Sequence, residues 1–170
     1  MTPKDLRAHK LLPKQLRSSP EFKLQKRGKL PKPFNRLGGS RIYTTGMLDV
    51  SDNHVVLMCW KDGEIQTDSA FFGYLHYRLA NGDLSPLFEF HWHPSHKGFH
   101  CKTPCKTEIN HTNRFLTMAR EIKMQTKNLD PRIHEDRLEL ILIFCDACGI
   151  SPPDNNPTTE SLFYGDKSRH

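Results

Sequence analysis

Asn81-Gly82 stands between two β-prone runs, Phe71 to Leu79 and Leu84 to His93. An Asn-Gly pair in that setting is the strongest short-range signal for a β-hairpin. A two-residue turn there makes the numbers of opposed residues sum to 163. Opposed residues share a face, so the whole hairpin can be sorted from the sequence alone. One face receives Leu75 with Phe88, Gly73 with Phe90, Phe71 with Trp92, and Leu79 with Leu84. The other receives His76 with Leu87, Tyr74 with Glu89, Phe72 with His91, and Arg78 with Ser85, with His93 two residues past His91. A slip of one residue would exchange every side chain between the faces. The separation of Phe88, Phe90 and Trp92 from Glu89, His91 and His93 therefore sets the register. Pro86 lacks a backbone donor and implies an edge position or a bulge at its site.

The second face carries candidate chemistry. Side chains two apart on a strand stand ~6.6–7 Å apart, which puts Glu89, His91 and His93 in a row able to act on one substrate. Imidazoles transfer protons near neutral pH, so His91 and His93 are the candidate acid and base. His76 and Glu89 are placed to orient or tune them. Arg78 is the candidate for holding a phosphate or a developing oxyanion.

From the strand end onward the residues run His91-x-His93-x2-His96-x3-His100-Cys101-x3-Cys105, with Pro94, Gly98 and Pro104 marking loop. Two readings compete here. In one, histidines together with cysteines, centred on His96, His100, Cys101 and Cys105, bind a structural zinc ion; Cys145-x2-Cys148 is a further pair that could join Cys101 and Cys105. In the other, preferred reading no cofactor is needed. The histidines are then acid and base for phosphodiester cleavage, in which an RNA 2′-hydroxyl attacks and cationic side chains assist. Cys145-x2-Cys148 closes a helix, whereas a redox pair normally opens one, where the dipole lowers the thiol pKa. Its cysteines are expected to be small core residues. Five cysteines, an odd number, with no apolar leader point to a reducing, cytoplasmic setting rather than to a disulfide framework.

Charge divides the chain. The formal net charge is +6. Residues 1–37 hold 11 Lys and Arg against Asp5 and Glu21, or +9; residues 38–170 hold 14 against 17, or −3. Pro3, Pro13, Pro20, Pro31 and Pro33 interrupt any long helix in the first part. With only scattered leucines and phenylalanines, it is expected to be a flexible basic arm at 1–37. Lys10, Lys14, Arg17, Lys23, Lys26, Arg27 and Lys29 are its candidates for binding nucleic acid, RNA above all. A solvated tail, or an arm ordered by a protein partner that takes up its leucines, are the alternatives. No apolar run approaches the ~20 residues of a membrane span.

Beyond the hairpin, Arg41 to Thr45, Val55 to Trp60 and Glu64 to Ala70 read as β-prone. A helix is expected from Asn110 or Asn113 to about Lys127. A second is expected from Asp130 as N-cap, with Pro131 in its first turn, to Gly149 at C′. The expected architecture is α+β over 38–150: a mainly antiparallel sheet with two helices packed on one face. A polar tail follows at 151–170.

Tyr74-Leu75-His76-Tyr77-Arg78, Asn81-Gly82-Asp83 and the His-rich stretch from His91 to Cys101 resemble the TumE-type toxins of bacterial toxin–antitoxin systems. The resemblance is confined to about residues 70–125. Where members of that family carry an Arg-Tyr-Asp-like strand end, this chain reads Glu89-Phe90-His91-Trp92-His93. The resemblance implies a small nucleic-acid-directed toxin with a neighbouring antitoxin as protein partner. The expected function is thus a small intracellular, metal-independent ribonuclease. The alternative is a non-enzymatic, zinc-stabilised adaptor, or a subunit of a larger assembly, that binds nucleic acid or protein through its basic arm.

Overall fold

A computed structural model describes residues 3–94, 98–102, 111–112 and 128–153, with backbone path alone at 98–102 and 111–112. Its centre is an antiparallel sheet in the order β2-β3-β4-β5-β6-β7-β8. The strands are β2 (Lys23–Leu24), β3 (Ile42–Asp49), β4 (His54–Lys61), β5 (Ala70–Arg78), β6 (Leu84–His93), β7 (Gly98–Lys102) and β8 (His111–Thr112). Helix α1 (Pro3–Leu11) precedes it, and helix α2 (His134–Cys148) packs on one face. A short parallel pair joins β1 (Lys14–Gln15) to β9 (Ile150–Ser151). The mixed α+β class is as expected.

The hairpin register holds from the open end to its middle: Phe71 pairs with Trp92, Phe72 with His91, Tyr74 with Glu89 and Leu75 with Phe88. Nearer the turn it shifts by one, and His76 faces Pro86, Tyr77 faces Ser85 and Arg78 faces Leu84. Leu87 is the extra residue of a bulge at the site where Pro86 cannot donate. The connection is correspondingly longer than two residues. The Leu79 N–H donates to the Asp83 carbonyl at 2.9 Å, and Gly82 takes φ +86. Leu79 is thereby released to solvent instead of pairing with Leu84 in the core.

One face of the sheet and α2 form the main core from Val56, Met58, Phe71, Leu75, Phe88, Phe90 and Trp92 against Leu140, Ile141, Phe144 and Cys148. Gly73 is the contact point. A Cβ there would lie 2.6–2.8 Å from the Phe144 ring, so only glycine admits the helix at this depth. The Trp92 indole N–H donates to the Leu129 carbonyl at 3.0 Å, which satisfies the one polar atom of the largest core side chain. Unlike an outer strand, β4 is buried on both faces, and Val55, Leu57 and Cys59 are as inaccessible as Val56 and Met58.

Of the two helices expected to pack on the sheet, α2 lies among the described residues and the one expected at 110–127 lies outside them. Helix α2 also starts later than its sequence signals. Asp130 closes a separate turn, accepting the Arg132 backbone N–H at 2.9 Å through its carboxylate and the Ile133 N–H at 2.9 Å through its carbonyl. Asp136, inside the helix, reaches back to accept the Asp130 N–H at 2.7 Å. Gly149 ends α2 in the left-handed conformation, φ 65 and ψ 40, as its position implied.

The flexible basic arm is not confirmed. Leu16 is 1% exposed and belongs to the main core, Phe34 is buried, and the Lys23–Leu24 strand pairs with Tyr43 and Thr44. Of the scattered apolar residues, Leu16 joins the core of the sheet, Phe22 packs partly against it and Phe34 is buried beside Tyr74, whereas Leu11, Leu12 and Leu24 stay exposed. The surface that orders this segment is thus the chain's own.

Candidate functional site

The face of the hairpin turned away from α2 carries the row expected from the sequence. His91 and His93 stand with ring centroids 6.2 Å apart, close to the two-residue repeat of a strand. Both lean on Phe72, at 5.1 and 5.3 Å in edge-to-face contact. His91 also meets Tyr74 at 5.8 Å, and Phe72 and Tyr74 are stacked 6.5 Å apart. Glu89 Oε2 lies 3.4 Å from His91 Nε2. Their side chains are 31% and 13% exposed, respectively, so the pair borders solvent without being immersed in it. The result is a ledge of four rings with a carboxylate at one end. Burial, together with Cys59 and Glu89, holds the Tyr74 hydroxyl well above the usual phenol range, so Tyr74 is a neutral donor.

Not all of the five candidate site residues join the ledge. His76 is 2% exposed, lies under Phe34 at 5.1 Å, and has no hydrogen-bond partner at Nδ1. Burial lowers its pKa, against a smaller opposing effect of Glu89, which fixes it as a neutral ring beneath the surface. Arg78 forms an ion pair with Asp49 at 2.7 Å. It stands four residues past Tyr74 on β5, ~13 Å along the strand, too far to share a phosphate with His91. Alternation along β5 puts Arg78 on the face of Tyr74 and His76, but only the pairing of β3 brings Asp49 beside it.

Of the metal candidates, His100 and Cys101 fall on β7, where the backbone register pairs them with His91 and Phe90. His96 and Cys105 lie outside the described residues. Among the described residues, no group of three or more His, Cys, Asp or Glu side chains is placed to hold a metal ion. Cys145 and Cys148 are buried thiols outside any disulfide, and burial pushes the Cys145 pKa up to about 12. That is the opposite of what a redox pair requires.

The basic candidates separate as well. Arg17, Lys23, Lys26, Arg27 and Lys29 are exposed, and Lys10 lies on α1. Lys14 is 3% exposed. Its ammonium donates to the carbonyls of His9 at 2.6 Å and Leu12 at 2.9 Å, closing the C-terminal end of α1 where a cation complements the helix dipole. It is a structural cap.

A second polar cluster has no counterpart in the sequence reading. The Ser51 hydroxyl lies 2.7 Å from His54 Nδ1 and accepts the His54 backbone N–H at 3.1 Å. His54 Nε2 lies 3.1 Å from His9 Nδ1. Both rings pack on Tyr77. Burial, Lys14 and His9 lower the His54 pKa to about 4, and burial and Lys14 also lower that of His9. Two neutral imidazoles thus share one hydrogen bond and join α1 to the sheet. Residues 45 positions apart leave no spacing signal, so only the fold could reveal the pair. An open cleft of about 660 Å³ beside it is lined by Lys14, Arg17, Val50, Ser51 and Asp52, among others.

Comparison with protein-family models, with curated proteins and with solved structures gives no match. No helix among the described residues is long and apolar enough to cross a membrane.

Proposed function

We propose that this chain is a small nucleic-acid-acting protein, a metal-independent ribonuclease of toxin type held in check by a protein antitoxin. The observation that carries the reading is the ledge itself: His91 and His93 side by side on Phe72, with Glu89 3.4 Å from His91. A run of neighbouring rings suits unstacked RNA bases, which bind proteins chiefly by stacking. Two imidazoles 6.2 Å apart suit the two proton transfers of 2′-hydroxyl attack. One ring takes the 2′-hydroxyl proton as the 2′-oxygen bonds to phosphorus. The other gives a proton to the departing 5′-oxygen as its bond to phosphorus breaks. Glu89 orients the His91 ring, and no step requires a metal.

Combined His91→Ala and His93→Ala substitution tests this. General acid–base groups contribute ~10²–10⁴-fold each, so cleavage of a single-stranded RNA should fall below detection. The His91 side chain is 13% exposed, so thermal unfolding of the variant is recorded alongside, and cleavage is compared at a temperature where both proteins are folded. Cleavage at the parental rate in the doubly substituted protein would dispose of the proposal.

A further inference from the structure

Between Gln25 and Gly39 the backbone forms a loop fastened at its base and across its middle. The Gln25 N–H donates to the Ile42 carbonyl at 2.7 Å, the Gly39 N–H to the Gln25 carbonyl at 3.0 Å, and the Gly28 N–H to the Asn35 carbonyl at 2.9 Å. The Gln25 side chain is buried and accepts the Thr44 hydroxyl at 2.8 Å. Gly38, at φ +143, lies so near the backbone of Gln25 and Arg27 that a Cβ would stand 2.7–2.8 Å from it. Phe34 pins the far side of the loop to the sheet, in contact with Tyr74 at 4.9 Å and His76 at 5.1 Å.

This anchored loop carries Lys26, Arg27, Lys29, Lys32 and Arg36, all exposed, and the sequence has no acidic residue from 22 to 48. Among the described residues, no carboxylate is ion-paired with any of the five. They are spread along the loop, which suits a chain of phosphates better than one anion. Phe34 touches Tyr74, and Tyr74 touches His91, so the loop that carries the charge adjoins the ring ledge through Phe34.

We infer that the loop from Gln25 to Gly39 is a built phosphate-binding element that tracks the backbone of single-stranded RNA whose bases reach the ledge. The inference rests on the ribonuclease reading for its choice of RNA. The ledge favours RNA over an acidic protein, because an acidic peptide offers nothing to stack on four rings.

The test is the salt dependence of binding to a 2′-O-methyl RNA oligomer, which cannot be cleaved by 2′-hydroxyl attack. Single strands give a slope of about −0.7 per phosphate neutralised, so five contacts predict about −3.5 and a ~10²-fold affinity loss from 50 to 200 mM salt. Lys32→Gln with Arg36→Gln should reduce that loss to roughly 20-fold. The same charge change at exposed Lys4 and Lys61 should leave the slope intact. Phe34→Ala keeps every charge but unpins the loop, and should weaken binding; the Lys32 and Arg36 variant gives the answer even if Phe34→Ala fails to fold. Equal slopes in the loop and control variants would overturn the inference, as would competition by polyglutamate as effective as that by RNA of equal charge. Loop-dependent binding without any cleavage by the parent protein would instead refute only the ribonuclease reading.

Discussion

Gly73→Ala is the most incisive test of how the sheet and α2 fit together. The added methyl would lie 2.6–2.8 Å from three atoms of the Phe144 ring, far inside van der Waals contact. Phe144 is fully buried and touches Phe88 and Phe90 at ring separations of 6.4 and 6.3 Å, so it has no free volume to retreat into. Overpacking of this kind costs about 1–3 kcal/mol. Alanine recovers roughly 0.5–1 kcal/mol over glycine within a strand. The net loss centres on ~1.25 kcal/mol and reaches ~2.5 kcal/mol at most, and a urea slope of about 2 kcal/mol/M converts the central value to a midpoint lowered by ~0.6 M. The decisive arm is the double-substitution cycle. Phe144→Ala alone should cost ~3–5 kcal/mol, but in that background Gly73→Ala should be neutral or stabilising, because the space is vacant. Equal effects of Gly73→Ala in the two backgrounds would refute the claim that Phe144 enforces glycine here.

Two further outcomes follow from the N-terminal segment. Leu16→Ala should lower stability by about 2–4 kcal/mol in chemical denaturation, as expected of a leucine 1% exposed in the main core; a change within ~0.5 kcal/mol would restore the picture of a free arm. The His54 pKa is depressed in the folded state to about 4 from 6.5, so the unfolded chain binds more protons between those values. Its contribution is full above pH 6.5 and is lost as pH falls toward 4. The melting temperature should therefore drop across that window, and His54→Gln should flatten the drop; an unchanged pH profile in that variant would show that His54 is not the titrating group.

The carboxyl-terminal half of β6 and its partners on β5 were legible residue by residue, since alternation of aromatic with polar side chains admits one register. Pro86 left an edge position or a bulge open, and could not say that Leu87 would be the extra residue and Leu79 would leave the core. Gly149 likewise marked the end of α2. Asp130 misled because an aspartate can cap a turn as readily as a helix, and the two differ only in where the following backbone goes. Of the candidate site, the Glu89, His91 and His93 row was visible because it lies on one strand. Arg78 and His76 were on the same nominal face but were removed from the row by Asp49 and Phe34, residues distant in the chain.

The basic segment shows the same division most clearly. Composition alone determined its charge, its lack of a core of its own and its broken helices. Whether it would swing free was a question of available surface, because scattered apolar residues become ordered only when another part of the molecule can bury them. Leu16 found the core against α2, and Phe34 found the ring ledge. Local patterns therefore determined which strands form and which side chains share a face. Long-range packing alone decided which of those side chains stay open to a substrate, since burial is a property of neighbours that the sequence does not keep adjacent.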